Sequence, residues 1–76
     1  MRLSEGKTGD VGKVYAIYGK KEIREALETV GISYGSELVI TAWEKQGVIV
    51  GLGPNRVALD VGTAGHVHIA NDAAAF

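Results

Sequence analysis

The sequence predicts a small, mostly β fold in which five short strands curl into a barrel and one α-helix is inserted after the first. Three observations predict it. Short segments rich in β-branched and aromatic residues recur along the chain. Eleven glycines are scattered between them, so they read as turns and bends and not as a flexible linker. A single segment carries apolar residues at helical spacing.

Seventy-six residues make one domain. A chain of this size buries only about 60% of the surface it exposes when unfolded, which leaves little room for both a full core and a deep catalytic pocket. It has no cysteine, which removes disulfides, thiolate metal sites and thiol catalysis. A disulfide-free fold is compatible with the cytoplasm. The opening Met1-Arg2-Leu3-Ser4-Glu5 lacks the apolar core of a signal peptide. The longest apolar stretch, Gly47 to Leu52, is too short to span a bilayer. The expected location is therefore cytoplasmic, without membrane insertion. Eight basic and nine acidic residues leave a net charge of -1, which argues against nucleic acid as a partner, because that affinity comes largely from neutralising phosphates.

The first strand is expected over Val11 to Tyr18. Val14 and Ile17 both suit a core yet lie three apart, and a bulge between them would let both face inward. The helix is expected over Lys21 to Val30, where Ile23, Ala26, Leu27 and Val30 fall on one face. Lys21 with Glu25, and Arg24 with Glu28, stand at i, i+4 with the base first, the weaker order, adding at most a few tenths of a kcal/mol. Gly31 suits a left-handed residue after the helix, and Ile32 is placed to touch Leu27 in a Schellman ending. The helix start, Gly19-Lys20-Lys21, offers no capping side chain.

After a Tyr34-Gly35 turn, Glu37 to Glu44 alternates Leu38, Ile40 and Ala42 on one face with Val39, Thr41 and Trp43 on the other. Lys45-Gln46-Gly47 turns the chain into Val48 to Leu52. Gly53-Pro54-Asn55-Arg56 reads as a turn with Pro54 at its second position. Val57-Ala58-Leu59 makes a fourth strand, Gly62 to Gly65 turns again, and Val67-His68-Ile69 closes as a fifth. Residues 1–70 form the domain on this reading, and the alanine-rich 71–76 is a frayed tail. Val14, Leu27, Leu38, Val50 and Leu59 come from five elements and would meet in one core, each contributing roughly 1.5–3 kcal/mol.

These pieces together resemble the FeoA family of ferrous iron transport proteins. The resemblance runs from about Leu3 to Ile69. It is carried by Leu3, Gly9, Gly12, Val14 and Ile17, then by Leu27, Val30, Gly31, Ile32 and Gly35. Val48-Ile49-Val50-Gly51 leading into Val57-Ala58-Leu59 follows, and Ala64, Val67 and Ile69 close the pattern. The family commonly has proline where Tyr34 stands, and often a more basic fourth strand than Arg56 with Asp60; both departures bear on what the surface binds. The resemblance implies a small SH3-like barrel, cytoplasmic and non-enzymatic, with no cofactor of its own. It would support ferrous iron uptake by docking on the cytoplasmic part of the GTP-hydrolysing ferrous iron permease, FeoB. The same domain occurs behind DNA-binding domains in iron-dependent repressors, and nothing in this chain resembles such a DNA-binding domain.

Candidate sites follow from residue types. Lys20, Lys21 and Arg24 form a basic patch at the helix start, suited to an acidic partner, although Glu22, Glu25 and Glu28 dilute it towards an ordinary solvated face. Tyr34 and Trp43, with Tyr15 and Tyr18, are the aromatics expected partly outside, where they anchor interfaces or merely cover a thin core. His66 and His68 alternate on the closing strand, so both imidazoles would project together. Two imidazoles with a nearby carboxylate could ligate a divalent transition metal, but the plainer reading is the outer face of a strand whose Val67 and Ile69 are buried, and no metal site is expected. Gly51-Leu52-Gly53 lacks the Gly-Lys-Ser/Thr and the helix of a phosphate loop. Ser4, Ser33 and Ser36 have no evident base, so no motif supports nucleophilic catalysis. Two other functions stay open: an SH3-like, KOW-type nucleic-acid module, suggested by Gly9-Asp10-Val11-Gly12-Lys13-Val14 and opposed by the net charge, and a metal binder or sensor using His66 and His68.

Overall fold

The computed structural model describes residues 1–71. A 3-10 turn at Leu3–Glu5 leads into β1 (Val11–Ile17), α1 (Lys21–Thr29), β2 (Glu37–Glu44), β3 (Gly47–Leu52), β4 (Asn55–Asp60), α2 (Val61–Ala64) and β5 (Val67–Asn71). The five strands form one antiparallel sheet in the order β4-β3-β2-β1-β5. It is the expected small SH3-like barrel with one seam unjoined, since among the described residues no ladder links β4 to β5. The alanine-rich end from position 72 onward lies outside the described residues, and Asn71 belongs to β5.

Two bulges let the sheet curl. Val14 pairs with Ile69 but Ala16 pairs with His68, so Tyr15 is an extra residue in β1. The alternation is thereby reset, and both Val14 and Ile17 are buried. The second bulge lies in β2, where Ile40 pairs with Val50 but Ala42 with Ile49, leaving Thr41 extra. Its hydroxyl donates to the Ile49 carbonyl at 3.0 Å, fastening the irregularity across the ladder.

Among the described residues, the core holds thirteen buried apolar side chains, drawn from every element, and no buried polar or charged residue. Leu3 and Ala64, at 0% exposure, come from the 3-10 turn and α2, neither of which was expected from the sequence. The expected turn at Gly62 to Gly65 is instead the short helix α2, because the Asp60 carboxylate accepts the Thr63 N–H at 2.7 Å and supplies an N-cap. The β3–β4 loop is two residues, Gly53-Pro54, since Leu52 pairs with Asn55. Gly53 takes the positive φ of +60 that opens a primed hairpin turn, so Pro54 stands third in the turn and not second.

The helix ends as its sequence requires. Ile32 N–H donates to Leu27 C=O at 2.9 Å and Gly31 N–H to Glu28 C=O at 3.0 Å, the two bonds of a Schellman motif, with Gly31 at φ +95. Leu27 and Ile32 are both buried. Elsewhere α1 departs from expectation. Leu27 alone is fully buried, Ile23 is half-buried, and Ala26 and Val30 are exposed, because one short helix laid over a curled sheet meets it along a narrow line. Neither Lys21–Glu25 nor Arg24–Glu28 closes to an ion pair among the described residues, where the pairs formed are Arg2–Glu5 and Lys13–Glu37; the exposed geometry gives them little to gain. Lys20 occupies the N-cap without a side-chain bond, as its type dictates.

Two predictions follow from the packing. Leu27→Ala should lower unfolding free energy by about 2–5 kcal/mol in a denaturant titration, the usual loss for a buried leucine; a loss below about 1 kcal/mol would place Leu27 outside the core. The second concerns Asp60. The Thr63 side chain and then its N–H favour the charged carboxylate and hold it below the usual carboxylate range. A folded-state value below the unfolded one gives stabilisation that is present above about pH 4, the unfolded value, and is lost as pH falls through the lowered folded value. The Thr63 amide shift should therefore titrate with a midpoint below about 3.9, and Asp60→Asn should remove that titration while keeping α2 folded. A midpoint at or above that of a free aspartate would contradict the cap.

Candidate docking surface

Among the described residues no polar side chain is buried, so the candidate groups all lie at the surface. The predicted residues fall in separate places. Lys20, Lys21 and Arg24 are all exposed at the start of α1. Tyr34 stands 61% exposed in the loop between α1 and β2, beside Gly35, whose N–H donates to Val14 C=O at 2.8 Å and fixes that loop against β1. Trp43 lies on β2 at 36% exposure, and its indole Nε1–H donates to the Gly6 carbonyl at 3.0 Å. That bond ties the segment after the 3-10 turn to the sheet, so Trp43 holds structure with one edge and offers area with the other.

The two histidines sit where β1 gives way to α1. His66 precedes β5; its carbonyl accepts the Tyr18 N–H at 2.9 Å, and its half-buried imidazole lies beside Gly19, with Nδ1 3.0 Å from where a Cβ on Gly19 would stand. His68, also half-buried, meets two tyrosines edge-on, Tyr18 with centroids 4.8 Å apart and Tyr15 at 6.1 Å. Both tyrosines are more than half exposed. Among the described residues no group of three or more His, Asp or Glu side chains converges to hold a metal ion.

The aromatic cluster of Tyr15, Tyr18 and His68 is the part of the surface that reading along the chain missed as a unit. Its signal was the irregular spacing of Val14 and Ile17. The bulge at Tyr15 brings Ala16 opposite His68, which sets the imidazole between the flanking tyrosines. The cluster continues into the basic helix start, since Tyr18, Gly19, Lys20 and Lys21 are consecutive.

Other candidates dissolve into the fold. Gly51-Leu52-Gly53 ends β3 and opens the hairpin, with a strand and no helix after it. Ser36 Oγ donates to Gly31 C=O at 3.2 Å and accepts from Ser33 N–H at 3.0 Å, closing the loop after α1. Gly9 to Val14 forms a turn and the head of β1. No helix among the described residues is long and apolar enough to cross a membrane.

Solved structures similar to this chain include FeoA proteins and metal-dependent repressors. Several solved structures superpose on nearly the whole chain. One is a crystal structure of an iron uptake regulatory protein, FeoA, with TM-score 0.85 and 31% identity over 91% of this chain and 93% of that one. Another is the FeoA protein of Chlorobium tepidum, with TM-score 0.82 and 22% identity over 93% of this chain and 70% of that one. A manganese-dependent transcriptional repressor shares the fold as one part of a longer chain, with TM-score 0.85 and 24% identity over 93% of this chain and 41% of that one. A comparison with curated proteins finds no match. The FeoA domain model matches residues 1–71, every element from the 3-10 turn to β5. With the sequence pattern, the fold and a 31% identical FeoA all covering the same span, this chain belongs to the FeoA domain family.

Proposed function

We propose that this protein is an accessory of ferrous iron uptake that docks on the cytoplasmic part of a GTP-hydrolysing ferrous iron transporter of the FeoB type and catalyses no reaction itself. Family membership across residues 1–71 carries this reading. A similar chain, 31% identical, is an iron uptake regulatory protein. The physical argument agrees in kind. The core is wholly apolar, and no described side chain is buried with its charge, so a catalytic group shielded from water has nowhere to stand. What the surface offers is contact area: Tyr34, Trp43, Tyr15 and Tyr18 as rigid anchors, and Lys20, Lys21 and Arg24 as charges that steer an acidic partner. Such a contact would be modest in area and transient.

The test is capture of the transporter's cytoplasmic domain by this protein, alongside ferrous uptake in cells lacking it. Association and reduced uptake are expected; normal uptake without association would exclude the reading. Reversing Lys20, Lys21 and Arg24 to glutamate should weaken capture and slow its onset, most strongly at low salt. Trp43→Phe keeps the aromatic area but loses the bond to Gly6, so it should lower stability more than capture, whereas loss of capture alone would make Trp43 an anchor.

On this reading His66 and His68 form no tight metal site. Two imidazoles fall short of the four ligands of a structural site, and His68 is already packed against Tyr15 and Tyr18. Calorimetry with ferrous iron or zinc should show weak binding or none. Submicromolar binding abolished by His66→Ala or His68→Ala would turn the proposal towards metal sensing.

A further inference from the structure

The outer edge of β4 is open. Because the β3–β4 loop has two residues, Leu52 with Asn55, Val50 with Val57, and Val48 with Leu59 are the pairs that exchange hydrogen bonds. Arg56 and Ala58, lying between them, turn their N–H and C=O groups away from β3, and no backbone bond elsewhere satisfies them among the described residues. At Asp60 the chain leaves the edge for α2, and no later strand among the described residues pairs with it. Natural sheets blunt such edges with charge, proline or a covering element. This edge has charges, but they are of opposite sign and stand symmetrically about a methyl group: Arg56, Ala58 and Asp60 share the exposed face. Neither Arg56 nor Asp60 has a charged partner within the chain among the described residues.

We propose that this edge is a self-complementary pairing site for a second copy of this chain, with two β4 strands running antiparallel about a two-fold axis at Ala58. Ala58 then faces Ala58, and Arg56 of each copy faces Asp60 of the other, so two opposite-charge cross-strand pairs flank the axis. The register is specified. Sliding either strand by two residues sets Ala58 opposite a charged residue and leaves both charge pairs broken, and sliding by one turns the Val57 and Leu59 face out of alignment with the core of the other copy. Two-fold closure joins the sheets and removes the free edge from both molecules. A ladder this short buries less than the roughly 1,200 Å² of a stable complex, so the dimer is weak and depends on concentration. The site lies on β4 and is independent of the docking reading, which concerns α1, β1 and β2.

Sedimentation equilibrium of the full chain from micromolar to millimolar concentration tests it. The average mass should rise from monomer towards dimer, with hydrogen exchange at the Ala58 amide slowing in step. Ala58→Pro removes an N–H that faces outward, which an edge strand tolerates, and should hold the protein monomeric. Arg56→Glu alone and Asp60→Lys alone should each weaken self-association about tenfold, since attraction becomes repulsion at two pairs. An equimolar mixture of the two variants should associate again, because every facing pair is then of opposite sign. If Asp60→Lys fails to fold for want of its cap, Ala58→Pro and Arg56→Glu decide alone. A monomeric mass throughout the range overturns the proposal, and so does a dimer that survives both of those substitutions.

Discussion

One sheet has to enclose its own core. Sandwiches divide that task between two sheets and larger barrels between many strands, but here five strands of five to eight residues supply every wall. The bending is concentrated at Tyr15 in β1 and Thr41 in β2, each an added residue that lets a strand turn while its inward side chains stay inward. Without the bulge in β1 the alternation would slip by one, and Val14 and Ile17 could not both face inward. The rest answers to that curvature. Leu27 and Ile32 from the helix, Leu3 from the first turn and Ala64 from α2 fill the openings the bent sheet leaves. At Gly47 no side chain fits: a Cβ there would collide with the Leu59 carbonyl of the neighbouring strand.

That economy puts the polar groups on the surface: among the described residues no polar or charged side chain is buried. The same bulge that curves β1 presents Tyr15 outward and seats His68 between Tyr15 and Tyr18. Curvature and surface chemistry thus share one cause. The fold recurs as part of a longer manganese-dependent repressor at 24% identity.

Much of this was legible along the chain, because the decisive signals were local. The strand character of Glu37 to Glu44 marked β2 to the residue, but the bulge at Thr41 breaks the alternation expected there, pairing Ala42 with Ile49 and Trp43 with Val48. The misfit of Val14 and Ile17 pointed to the bulge, and Leu27-x3-Gly31-Ile32 pointed to the helix ending. What was not legible depended on contacts between distant residues. A four-residue helix after Asp60 looks like a glycine-rich turn until the cap to Thr63 is seen. The helical spacing of Ala26 and Val30 was real but had nothing to pack against, since periodicity tells which residues share a face and not how wide a surface meets it. For the candidate surface, residue types named Trp43, yet only the fold shows its indole bound to a carbonyl 37 positions away.

The pairing of β1 with both β2 and β5 has a consequence in time. β1 precedes the other strands of this sheet in the chain and is flanked in the finished sheet by β5, which follows them all. Hairpins β2–β3 and β3–β4, each closed by two residues, can form as they appear. The remaining side of β1, and the inward row of Val14 and Ile17, must wait until Val67 and Ile69 have been synthesised. The Met1 carbonyl waits equally for the Ile69 N–H that it will accept at 2.8 Å. A nascent chain stalled before β5 therefore presents an unpaired strand bordered by apolar residues, the form in which partly made β proteins associate with one another. For this fold, the sheet is complete only once β5 has joined β1.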